Sequence, residues 1–213
     1  MQITSNDFVS LAEIAISDGV VPEAVGKGTR TAYGNRLKAM FAAGEEHGEA
    51  MRQQAAEAKR RALRNLPDLL EQAESTLTAN GFTVLWAEDA AEACAHVLDI
   101  AGQHDVQSIA KSKSMATEEI ALNHQLEAAG LHVLETDLGE YILQLNHETP
   151  SHIVAPVVHK SKAEIKAIFE HELDMPPEID AAEDMVAFAR KKLRDGFLNA
   201  DMGITGGNFV IAE

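Results

Sequence analysis

Val106 to Asp137 reads VQSIAKSKSMATEEIALNHQLEAAGLHVLETD, and this stretch decides the fold class. The run 106–110 is short and apolar, as a buried strand requires. Lys111-Ser112-Lys113-Ser114 makes a turn, and Met115 to Ala129 has helical composition, closed by Gly130. A second apolar run follows at 131–137. A strand, a crossover helix and another strand imply a parallel pair.

Working outward, FTVLWA (82–87) reads as a strand and DAAEACAHVLDIAGQH (89–104) as a helix, with Ala93, His96, Val97 and Ile100 in its apolar stripe. EYILQL (140–145) and HIVAPVV (152–158) add two apolar runs read as strands, Pro150 and Pro156 marking edges. The segments 162–173 and 181–200 read as helices. The expected fold is α/β, a mostly parallel sheet flanked by helices. Residues 1–75 form an N-terminal helical region, with an amphipathic run at 8–16, an Ala/Glu/Gln/Arg-rich arm at about 28–65, and a helix after Leu66-Pro67. The α/β domain is drawn at 76–213. NFVIAE (208–213) is strand-like to its last residue, so the chain is expected to be cut before the domain is complete.

Composition narrows the function. With 213 residues, 46% of them apolar, the chain can bury a full core. Residues 76–213 carry a net charge of −14 and residues 1–75 only −2, so duplex nucleic acid and anionic membrane are repelled by the larger part. The basic cluster Lys59–Arg64 reads as a solvated helix face or a partner contact. No long uncharged apolar run suggests a membrane span, and the first residues lack a secretory pattern, so the expectation is a cytoplasmic protein. Cys94 is the only cysteine, which excludes an internal disulfide or an all-cysteine metal or cluster site.

Two segments suit a ligand. Lys111, Ser112, Lys113 and Ser114 fall at the carboxyl end of a strand, where open α/β sheets bind ligands. Lysine charges, hydroxyls and free backbone N–H groups there suit a small carboxylate or phosphate. The plainer reading is that Ser114 or Thr117 caps the helix and the lysines are solvated. In DMGITGGNF, Gly203, Gly206 and Gly207 permit close approach, while Thr205 and Asn208 supply donors; a tight bend explains the glycines equally well. Glu135, Asp137 and Glu140 cluster near a strand end as proton-transfer candidates or as a solvated turn. The histidines lack zinc-ligand spacing, and no metal site is expected in this chain.

AKSKSMATEEIALNHQLEAAGLHVLETDLGEYILQL, PSHIVAPVVHKSKAEI and FLNADMGITGGNFVIAE resemble the LUD domain of the lactate utilization protein B family. The resemblance spans about residues 60–213. It implies an iron–sulfur subunit of a bacterial complex of three proteins that oxidises L-lactate to pyruvate in the cytoplasm. It also implies a fold akin to sugar-phosphate isomerases and CoA-transferases, and other lactate utilization subunits as partners. Members of that family continue into a ferredoxin-like region whose cysteines hold two four-iron clusters, so electron transfer is expected to lie outside these residues. No catalytic residue carries over. Two other readings stay open: a stand-alone isomerase- or CoA-transferase-like enzyme using Asp137 or Glu140, and a non-catalytic assembly domain docking through the arm at 28–65.

Overall fold

The computed structural model describes residues 8–17, 19–148 and 156–207. These residues divide into two compact units, one of Lys27–Trp86 and the other of Ala87–Gly207 with the residues up to Gly26. The change of unit falls at Trp86–Ala87; the domain boundary at 75/76 remains a proposal.

Helices α1 (Phe8–Ser17), α2 (Val20–Met40), α3 (Glu45–Arg64) and α4 (Leu66–Ala79) occupy the first part of the chain. Helix α2 starts earlier than expected and contains Pro22 in its first turn, where the missing N–H costs nothing. Gly44, at φ 103, breaks the chain before α3. Gly48 lies inside α3, where a Cβ would stand 2.5 Å from Met40 O and from the Phe41 ring. The thin apolar content of this region shows in the burial: α2 and α4 bury no residue, and α3 only Gly48.

The second unit carries α5 (Ala90–Gln103), β1 (Ser108–Lys111), α6 (Met115–Glu119), α7 (Leu122–Ala128), β2 (His132–Glu135), α8 (Leu138–Leu145), α9 (Lys162–Glu172), α10 (Ala182–Asn199) and β3 (Met202–Ile204). The three strands form one parallel sheet in the order β2-β1-β3. Helices cover both faces. On one, Ile109 and Val133 meet Cys94, Ala101, Leu122 and Leu126. On the other, Leu134 packs against Tyr141, Ile142, Phe169, Met185 and their neighbours from α8, α9 and α10. This is the α/β class expected from Val106–Asp137.

Four expectations need correction or restriction. FTVLWA is no strand: it has no ladder partner among the described residues, and Phe82 and Trp86 are 61% and 54% exposed. Phe82 N–H instead closes the end of α4 on Leu77 O, and Trp86 Nε1 donates to Glu74. EYILQL lies in helix α8, because Asp137 caps it by accepting from Gly139 N and Glu140 N at 3.0 and 3.3 Å. Its residues 140–143 are all buried, and a segment enclosed on every side loses the periodicity that separates helix from strand. The helix expected over 115–129 splits, because Ala121 takes a left-handed conformation at φ 53. Of HIVAPVV, residues 152–155 lie outside the described residues, and 156–158 form a turn.

Candidate functional site

Period-two alternation puts Ile109 and Lys111 on one face of β1, and Val133 and Glu135 on the same face of β2. The parallel register sets Ile109 opposite Val133 and Lys111 opposite Glu135. The apolar layer therefore gives way, at the carboxyl ends of the strands, to an ion pair. Lys111 is 0% exposed, and its Nζ stands 2.8 Å from Glu135 Oε1. The same Nζ donates to Thr117 Oγ1 at 3.2 Å, and Asn123 Nδ2 donates to Glu135 Oε1 at 2.6 Å. Asn123 stands at the start of α7, just past the break at Ala121. On the far side, Gln144 fixes β2 by accepting from Glu135 N and donating to Val133 O.

Above this floor lies a rim. Ser112 N donates to Ile204 O at 2.8 Å, extending the β1–β3 ladder, and Ser112 Oγ donates to Thr205 Oγ1 at 2.8 Å. Gly206 abuts Ser114 so closely that a Cβ would fall 2.2 Å from Ser114 Oγ. Lys113 Nζ lies 3.5 Å from Glu140 Oε1; the lysine side chain is 42% exposed and the glutamate 2%. The two segments picked out in the sequence, 111–114 and 203–207, thus meet at one end of the sheet.

Their roles differ. Lys111 is internal and offset by Glu135, so Lys113 is the cation that reaches solvent. Ser114 Oγ accepts from Thr117 N at 3.2 Å, the capping role that the plainer reading gave it. Gly203 sits in β3 opposite Ala110, with nothing within 4 Å of a Cβ, whereas Gly206 is at a true close approach. Thr205 and Gly207 are exposed, and Asn208 lies outside the described residues. Glu135 and Glu140, 5% and 3% exposed, do not form a solvated turn, and Asp137 is occupied as the α8 cap. Asn123 and Thr117 were not anticipated as partners of the site. The Lys111–Glu135 pair was legible: the spacings Ile109-x-Lys111 and Val133-x-Glu135 place both ends opposite each other once the strands align.

Burial pushes the Glu135 carboxyl above its ordinary range; Lys111 and Asn123 pull it down, and the Glu140 charge pushes it further up. Two hollows of about 330 and 400 Å³ lie elsewhere, on the Lys27–Trp86 unit, around Met40 and Met51 and around Arg52 and Arg60. Neither gathers buried polar groups, so the strand ends make the better site. A four-iron cluster needs a set of thiolates. Cys94 is the single cysteine of the sequence, and its buried Sγ faces Ile120 O at 3.5 Å, so these residues do not fit such a group.

An α/β unit with its polar groups converging at strand ends is the setting in which the comparisons with known proteins fall. Residues 70–213 match the family model of the LUD domain, and the chain belongs to that family. It is 40% identical over 212 residues to the "Uncharacterized electron transport protein YkgF" of Escherichia coli (strain K12). It is 38% identical over 213 residues to "Lactate utilization protein B" of Bacillus thuringiensis (strain Al Hakam) and of Bacillus cereus (strain AH187). These alignments cover 99–100% of this chain but 44% of each relative, so the chain spans less than half their length. No solved structure matches.

Proposed function

We propose that this chain is the LUD-domain part of a lactate utilization subunit, and that its strand-end mouth holds a small carboxylate during the oxidation of L-lactate to pyruvate. Electrons pass, in this reading, through iron–sulfur clusters outside these residues, and the partners are the other lactate utilization subunits. The names of the relatives support the system. The observation that supports the site is the meeting of 111–114 with 203–207 beside a buried Lys111–Glu135 pair: Ser112 bonds Thr205, Gly206 presses against Ser114, and the partly exposed Lys113 ammonium lies beside Glu140. A half-exposed ammonium and two hydroxyls on a rigid floor suit an anion of a few atoms.

The test is thermal melting of the chain with and without millimolar L-lactate or pyruvate. A ligand that binds only the folded form raises Tm in proportion to its saturation. A rise with either carboxylate, and no turnover of lactate by the chain alone, is the expected result. Superimposable melting curves contradict the proposal.

A further inference from the structure

The Lys27–Trp86 unit carries apolar side chains that nothing among the described residues covers. Leu63 is 61% exposed, and Leu66, Leu69 and Leu70 are 43%, 43% and 40% exposed. Helices draw most of their stability from an apolar face packed against a partner, yet α2 and α4 bury no residue. Leu63, Leu66, Leu70, Ala73 and Leu77 are spaced by alternating threes and fours, the spacing of a seam along which helices pair. Ala73 and Leu77 are half-buried, so the open end of the seam is Leu63–Leu70. Only Asn65 interrupts the run, and helical bonds reach it from both sides: Asn65 N donates to Arg61 O, and Leu69 N donates to Asn65 O.

The charge pattern selects the occupant. Before Leu66 the run is basic, with Lys59, Arg60, Arg61 and Arg64; after it come the acids Asp68, Glu71 and Glu74. The sign therefore reverses about Leu66. A partner of one charge sign would match one half of the seam and be repelled by the other. A second copy, laid antiparallel across a two-fold axis at Leu66, meets each half with its complement: Arg61 comes opposite Glu71, Arg64 opposite Asp68 and Leu63 opposite Leu69. Arg61, Asp68 and Glu71 have no side-chain partner among the described residues, whereas Arg64 already meets Glu57 at 3.1 Å. Net charge favours the same unit. Residues 27–86 hold 9 Lys+Arg and 7 Asp+Glu, while residues 76–213, at −14, repel their counterparts in another copy.

We infer that the α3–α4 seam is a self-association surface: two copies of this chain pair antiparallel about Leu66, with the leucines inside and the basic end of each α3 beside the acidic α4 of the other. The inference does not depend on the anion site.

The experiment is sedimentation equilibrium of the full chain over a range of concentrations. Expected is a mass of two chains that falls to one on dilution, and a single chain throughout for Leu66→Asp/Leu70→Asp. Two charge variants read the pairing itself. Arg61→Glu/Arg64→Glu and Asp68→Arg/Glu71→Arg should each weaken the homodimer by about tenfold or more, because like charges then face each other. An equimolar mixture of the two should recover the wild-type affinity, because each complements the other. All six substituted side chains are exposed, and recovery in the mixture cannot come from misfolded chains. A wild-type chain that stays single at every concentration overturns the inference, whatever the variants do; this is also the result expected if the seam serves a different protein. A dimer indifferent to Leu66→Asp/Leu70→Asp, or a mixture no tighter than its parts, overturns it as well.

Discussion

Lys111 and Lys113 are two residues apart, yet they belong to different regions of one site. The floor, made of Lys111, Glu135, Thr117 and Asn123, is closed to solvent and held by strand register. The rim, made of Ser112, Lys113, Thr205 and Gly206, is half-buried to exposed among the described residues and carries a few side-chain contacts. The difference teaches that charge type alone does not assign a role. In the floor, an ammonium and a carboxylate offset each other's desolvation and give rigidity. At the rim, an ammonium keeps its hydration until a ligand replaces it, and recognition is available there.

The largest effect should come from breaking the floor. Lys111→Met leaves Glu135 buried without its cation and is expected to cost about 3–5 kcal/mol in urea denaturation. The double variant Lys111→Met/Glu135→Leu should recover much of that loss, because no lone charge remains. If the single substitution is nearly neutral, floor and rim do not differ as described.

Next in size is the seam between the two segments. Gly206→Ala forces a Cβ onto Ser114, whose Oγ and Cβ would stand 2.2 and 2.5 Å away. It should cost about 1–3 kcal/mol and remove any Tm response to pyruvate. Gly203→Ala, with open space around its Cβ, serves as the control and should change neither by much.

Smaller effects sharpen the contrast. The folded-state pKa of Glu135 is raised, so its contribution favours folding at low pH and is lost as pH rises from the ordinary glutamate value through the raised one. Wild type should therefore lose more stability than Glu135→Gln across that window in pH-dependent urea melts. Asp201 works in the opposite sense: hydrogen bonds from Gln107 N and from Ser108 lower its pKa, and its contribution is lost as pH falls. Lys113→Gln removes the 42%-exposed cation beside buried Glu140, and its stability change should be smaller than that of Lys111→Met, whose ammonium is fully enclosed. Its Tm increment with pyruvate should nonetheless vanish.

Much of the fold was readable where pattern and register agree. Val106–Ala110, Leu131–Asp137 and the glycine-bounded helix between them declared a parallel pair, and β3 joined at the segment singled out for its glycines. The sequence was least legible where tertiary enclosure overrides local pattern. Residues 140–143 are apolar or buried on every side, and only the Asp137 cap marks the helix. FTVLWA has strand composition but no ladder partner among the described residues. At the site, the meeting of 111–114 with 203–207 rested on both segments lying at strand ends. The placement of Asn123 was hidden, because it depends on Ala121 adopting a conformation that alanine rarely takes.

The central claim is that an anion is held at the rim, over a floor that does not move. Backbone amide NMR of the full chain titrated with pyruvate tests this most directly. The account predicts saturable shifts at Ser112, Lys113, Thr205, Gly206 and Gly207, with the Ile109 and Val133 amides unchanged. Saturable shifts confined to the Lys27–Trp86 unit, or no shifts at the rim, would contradict it.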